Sequence, residues 1–317
     1  FGHVVAEFAS RVLPALDAAP GARLLLAANR HPPFAEMGGA QRAVLDWFGV
    51  APERIEIAAA PVRVDRLFAP PQQEHLGEYM PGEPPIGDEA SPAPTAAYLD
   101  RLTAHAEARL GPMRREGPLF VSRAGMGLRF AGELALERAF TAIGARVIRP
   151  EALALVDQLR AYAAHDPIVM SEGSSMHGLQ LLGRGLGRVI VLERRGGMRL
   201  AGHALAPRCA RAVWLDATRE LVHGLTAEGR VSYQGLNALD PERLVEGLRA
   251  EGVDLGPALS ARAFHRAAGE ELEAWLGEAV PLLAGTPAGR RRLAATLAAW
   301  RPPGAMAAAL RLDPRGA

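Results

Sequence analysis

Residues 118–193 read PLFVSRAGMGLRFAGELALERAFTAIGARVIRPEALALVDQLRAYAAHDPIVMSEGSSMHGLQLLGRGLGRVIVLE. Four short apolar runs punctuate this stretch, at 118–122 (PLFVS), 146–149 (RVIR), 167–171 (PIVMS) and 188–192 (RVIVL). Between them, 133–143, 152–163 and 175–182 carry apolar residues at helical spacing. In the first of these, Leu136, Phe140 and Ile143 share a face and Gly144 ends the helix. Repeated β-α-β with runs this apolar predicts an α/β fold whose parallel sheet is covered on both faces. Ligands of such sheets sit at the carboxyl ends of the strands, here the loops after Ser122 and Ser171.

Upstream, Val4, Val5, Phe8, Val12, Leu13 and Leu16 predict a helix over 3–18. A buried strand follows at 23–28 (RLLLAA), then an amphipathic helix through Ala40, Val44, Leu45 and Phe48 that stops at Gly49. Short strands are expected at 54–58 and 62–68. The chain opens Phe1-Gly2-His3 with no initiator Met, as though inside a helix, which points to a fragment whose front is missing. Residues 69–95 hold seven prolines (70, 71, 81, 84, 85, 92 and 94) and read as linker plus lid. A helix at 96–110 leads out of them. From Leu236 onward the chain is Ala-, Leu- and Arg-rich and is expected to be helical, anchored by Trp275 and Trp300.

The 317 residues suggest about two domains. With 49% apolar residues they can form two modest cores. A formal charge of +1, from 36 basic and 35 acidic side chains, argues against nucleic-acid binding, which needs a large basic excess. Every basic residue is Arg, which removes Schiff-base and pyridoxal-phosphate chemistry and the phosphate-loop lysine. Cys209 is the only cysteine, so no intramolecular disulfide forms and a reducing, cytoplasmic setting fits best. There is no run of about 18 apolar residues and no signal-peptide pattern. Arg290-Arg291-Arg292 could touch the inner face of a membrane, although a solvated helix face is the plainer reading.

The loop after the first strand places Arg123 and Arg129 around Gly125 and Gly127. Gly admits close backbone approach, and Arg grips phosphate through a planar fork. Alone the pattern is weak, because an Arg-rich chain produces it by chance. In the loop after the third strand, Ser174 suits a helix N-cap, with amides of the next turn facing an anion. An ordinary capped helix is an equal reading. Gly173-Ser174-Ser175-Met176 lacks the closing Gly of GxSxG, which argues against a serine hydrolase. No Asp-x-Asp pair occurs, and His165-Asp166 has no obvious third ligand, so no metal site is expected.

Taken together, Phe120 to Glu193 resembles glycosyltransferase family 61, which includes plant xylosyltransferases and bacterial capsular-polysaccharide enzymes. The resemblance rests on Ser122-Arg123, on Arg129 followed by Gly132-Glu133, and on Pro150-Glu151 with Asp157-Gln158. It continues through Glu172-Gly173-Ser174, where the family has His-Gly-Ala, and a hydrophobic strand ending in Glu193. His3-Val4 with Glu7 and Pro14 is comparable to the family's His-Trp, Glu and Pro, so the match spans about residues 1–195, roughly three-fifths of the chain. Gly132 in place of Asn and Glu172 in place of His are the departures.

The resemblance implies a GT-B-like fold of two Rossmann-like domains facing a cleft, with no bound metal and no cofactor. The expected layout is an incomplete acceptor-side α/β domain (1–95), a donor domain (96–235) and a helical C-terminal region (236–317). It implies inverting transfer of a sugar from a nucleoside-diphosphate sugar to a glycan or lipid-linked saccharide acceptor. Donor contacts fall on Ser122, Arg123, Arg129, Glu133, Gly173, Ser174, Ser175, His177 and Glu193, the last as a ribose ligand. His3 with Glu7 behind it, or else Glu172, is the expected base. The alternative is a nucleotide-sugar-binding or assembly protein of the same fold without catalysis.

Overall fold

The computed structural model describes residues 2–27, 38–58, 60–74, 94–112, 114–194, 197, 199–225, 231–283, 287 and 291. Expectations for Pro81, Pro84, Pro85, Pro92, Arg290, Arg292 and Trp300 lie outside the described residues.

The first helical stretch winds in three ways: a π turn Val4–Phe8, a 3₁₀ turn Ala9–Arg11, and α1 (Val12–Ala18). Pro14 has no N–H to give the carbonyl of Ser10, so a single α ladder cannot run through. Strand β1 (Leu24–Ala27), α2 (Gly39–Trp47) and β2 (Ile55–Ala58) form one β-α-β unit, with Leu24 opposite Ile55 in a parallel pair. The strand expected at 62–68 is not formed. Its alternating apolar residues find no partner strand, and Leu67 remains 68% exposed. Helix α3 (Ala96–Leu110) starts where the Thr95 side chain accepts the Tyr98 N–H, and Gly111 ends it at φ 75°.

The main sheet is built from β3 (Leu119–Val121), α4 (Glu133–Ala142), β4 (Arg146–Ile148), α5 (Leu155–Ala164), β5 (Ile168–Ser171), β6 (Leu186–Leu192), the short α6 (Gly202–Leu205) and β7 (Cys209–Leu215). All five strands are parallel, in the order β4-β3-β5-β6-β7. Connections leave β3 toward β4 on one side, and later strands fill the other side. The topological switch point therefore lies between β3 and β5. The helix expected at 175–182 is a 3₁₀ helix, Ser174–Leu181, and Gly173 rather than Ser174 occupies its N-cap position.

Strands β8 (Thr218–Leu225) and β9 (Val231–Leu239) pair antiparallel. The helical region therefore begins after Leu239, not at Leu236, and β9 crosses the expected domain boundary. Helix α7 (Pro241–Ala250) starts sharply because Asp240 caps it, accepting the Arg243 N–H, with Pro241 at the first helical position. Helix α8 (Ala261–Leu283) follows.

Side chains alternate across the sheet. Leu119, Val121, Ile168, Met170, Val189 and Val191 pack with α2, α3, α5 and the N-terminal helical turns. Phe120, Val169 and Ile190 face Leu136 and Phe140 of α4, Leu244 and Leu248 of α7, and Phe264 of α8. Helices α7 and α8 thus form a layer on this face of the sheet. Each such fully buried side chain contributes about 1.5–3 kcal/mol. Among the described residues, no helix is long and apolar enough to cross a membrane.

Candidate functional site

The switch point opens into a crevice of about 240 Å³ at the carboxyl ends of β3, β4 and β5. The loop after β3 contributes Ser122, Arg123 and Met126; the chain after β4 contributes Pro150, Glu151 and Gln158; the turn after β5 contributes Ser174 and Ser175.

One buried carboxylate shapes the loop after β3. Glu133 Oε1 accepts the Arg123 N–H at 2.6 Å and the Ser171 hydroxyl at 2.6 Å, and Oε2 accepts the Phe130 N–H at 3.0 Å. Both ends of the loop are thus pinned to one side chain and to the end of β5. Burial pushes the Glu133 carboxyl above its ordinary range, while these donors pull it back. The side chain is fully enclosed, so its expected donor contact becomes a positioning role. Gly132 before it adopts φ 85°, and a Cβ there would lie 2.8 Å from the Phe264 ring. Glycine meets both demands.

Arg123 is only 7% exposed. Its Nε donates to the Leu128 carbonyl at 2.8 Å, and its guanidinium lies so close over Gly173 that any side chain at 173 would collide with it. The arginine thereby couples the loops after β3 and β5 while lining the crevice. Ser175 lines it too, and its Oγ has no hydrogen-bond partner among the described residues.

Other expected residues point elsewhere. Arg129 Nε pairs with Glu271 of α8 at 3.2 Å, and Nη1 donates to the Met126 carbonyl, so this fork ties the loop to α8. Glu172, 1% exposed, accepts the Arg194 N–H at 2.7 Å; Glu193, 4% exposed, accepts the Gly197 N–H at 2.6 Å. Burial raises the Glu193 pKa. Neither carboxylate lines the crevice, and both brace the chain after β6. Glu172, expected as a base, and Glu193, expected as a ribose ligand, thus lie outside that lining.

His177 is buried inside the 3₁₀ helix and joins a polar chain. Its Nδ1 donates to Gln180 Oε1 at 2.7 Å, Gln180 Nε2 donates to Glu74 Oε2 at 2.5 Å, and Arg208 pairs with Glu74 Oε1. All four side chains are at most 3% exposed. Burial lowers the His177 pKa from 6.5 to about 4, with the nearby charge of His3 among the smaller causes. The turn Val4–Phe8 packs on this same 3₁₀ helix, and His3 lies near enough to His177 for its charge to be felt there. His3 Nδ1 is 3.5 Å from Glu7, and both are solvent-accessible.

Sequence reasoning missed Glu151 and Gln158 as crevice residues and Glu74, Gln180 and Arg208 as its support. The strand order locates the first two, because β4 flanks β3 at the switch point. Among the described residues, no group of three or more His, Cys, Asp or Glu could hold a metal ion. Compared with protein-family models, with curated proteins and with solved structures, the chain gives no significant match.

Proposed function

We propose that the protein is an inverting glycosyltransferase that takes a nucleoside-diphosphate sugar in the switch-point crevice and transfers the sugar to a hydroxyl of a glycan or lipid-linked acceptor. The observation that carries this reading is Arg123, held between the loops after β3 and β5 and facing a crevice where doubly wound sheets bind nucleotides. The diphosphate lies against Arg123 and the backbone opening the 3₁₀ helix at Ser174 and Ser175. The acceptor oxygen attacks the anomeric carbon, the bond from that carbon to the diphosphate oxygen breaks, and the leaving charge falls to the same donors. The β1-α2-β2 unit supplies the acceptor side of a GT-B-like pair. His3, with the Glu7 carboxylate 3.5 Å from its Nδ1, is the group we assign to take the acceptor proton.

Arg123→Ala should weaken binding of uridine or guanosine diphosphate by ~10-fold or more, the range of a lost charge-assisted bond. Because Arg123 is buried, the variant should also melt earlier than the parent. Calorimetry showing unaltered nucleotide affinity would sink the assignment.

His3→Ala should lower sugar-transfer turnover by ~100-fold or more with donor affinity unchanged, as expected for a lost general base. One observation favours a second reading, a nucleotide-sugar-binding protein without catalysis: the Glu172 carboxylate is already engaged, leaving His3 as the base. A parent protein that binds donor but neither transfers nor hydrolyses the sugar would establish that reading.

A further inference from the structure

The two walls of the crevice differ in chemistry. The β3 and β5 side presents the Arg123 guanidinium and the Ser174–Ser175 turn. The β4 side presents acceptors. Glu151 follows Pro150 in the 3₁₀ turn Pro150–Ala152 at the end of β4, and its carboxylate leans across to the Cα of Gly125. A side chain at 125 would collide with that carboxylate, so the glycine is what allows the approach. No hydrogen bond or ion pair holds Glu151 among the described residues. Gln158 spends its amide N–H groups on the carbonyls of Pro150 (2.8 Å) and Leu153 (3.1 Å), which leaves Oε1 as its remaining polar atom.

A carboxylate repels phosphate, so the part of a ligand that meets Glu151 must offer hydroxyl donors. Topology identifies which. In doubly wound sheets, phosphate binds at the loop after the first strand, and an acidic residue past the neighbouring second strand takes the ribose hydroxyls. Here β3 is the first strand of the sheet, β4 the second, and the two are paired. We infer that Glu151, with Gln158 Oε1 beside it, accepts the 2′- and 3′-hydroxyls of the nucleotide's ribose, so that the crevice selects ribonucleotides. This rests on the nucleotide reading above and gives the ribose role to Glu151 in place of Glu193.

Calorimetry on the whole chain tests it, using uridine and guanosine diphosphates, their 2′,3′-dideoxy counterparts and inorganic diphosphate. Glu151 is solvent-exposed, so its variants should fold. The parent should bind the better ribonucleotide ~10-fold more tightly than its dideoxy form, as two hydrogen bonds to a charged acceptor allow. Glu151→Ala should erase that preference and leave the dideoxy nucleotide and inorganic diphosphate no weaker. Equal affinity of the parent for ribo and dideoxy forms would overturn the ribose assignment and leave the donor site standing. Weaker inorganic diphosphate binding by Glu151→Ala would overturn it too, by showing that the residue only supports the loop. No nucleotide binding by the parent would overturn both this inference and the proposed function.

Discussion

Glu74→Ala should destabilise the fold by about 3–5 kcal/mol, the cost of leaving one member of a buried ion pair without its partner. Arg208 is the side chain stranded: it is 1% exposed and reaches Glu74 and the Gln180 carbonyl. In a chain of this size the loss should lower the melting temperature on the order of 10 °C. The double variant Glu74→Leu, Arg208→Met removes both charges and should recover most of the loss, because a well-packed apolar pair costs less than an unpaired charge. Denaturant titration of the single and double variants separates the two effects. A single variant within about 1 kcal/mol of the parent would show that the charge is not stranded.

The same chain of bonds predicts an acid-side weakness. The folded-state pKa of His177 is about 4, below its ordinary 6.5, so the unfolded chain binds the extra proton more tightly. The stability that neutral His177 contributes is complete above 6.5 and is lost as pH falls toward 4. Denaturation midpoints at neutral pH and near pH 5 should differ accordingly, and less so in His177→Asn.

What the sequence made legible follows from where the interactions are local. Strands β3, β5 and β6 are buried on both faces, so each appears as a continuous apolar run needing no knowledge of its neighbours. The place of the crevice follows from strand polarity alone, because the loops after Ser122 and Ser171 both leave the carboxyl ends of parallel strands and line it. The direction of a charged side chain is another matter, because its partner is distant in the chain. Arg129 finds Glu271 at a separation of 142 residues, and Arg208 finds Glu74 at 134. Residues 62–68 alternate as a strand should, yet a strand needs an edge to pair with. Gly132 is legible only in part: its left-handed φ suits either Gly or the Asn of the resembled family, but Phe264, which excludes a side chain there, lies on α8.

Glu133 is the residue on which folding and function should fail together. Its carboxylate satisfies three buried donors: the N–H groups of Arg123 and Phe130 and the hydroxyl of Ser171. Glu133→Ala leaves all three without an acceptor in a site closed to solvent, at about 1–3 kcal/mol each. The expected loss is therefore ~3 kcal/mol or more. Glu133→Gln is the finer test. Its amide has one oxygen and one NH₂ group, so one end of the loop must face a donor with a donor. Stability should fall by less than in the alanine variant, since one side of the pattern survives. Nucleoside-diphosphate affinity should fall by ~10-fold or more in either case, because Arg123 follows directly on the end of β3 that Glu133 pins. That affinity loss separates a positioning role from a merely structural one, so calorimetry should be run well below the melting point, where the variants are folded. An alanine variant within about 0.5 kcal/mol of the parent would show that the loop holds without Glu133. Unchanged nucleotide affinity in a destabilised variant would show that the loop's shape does not govern the proposed nucleotide binding.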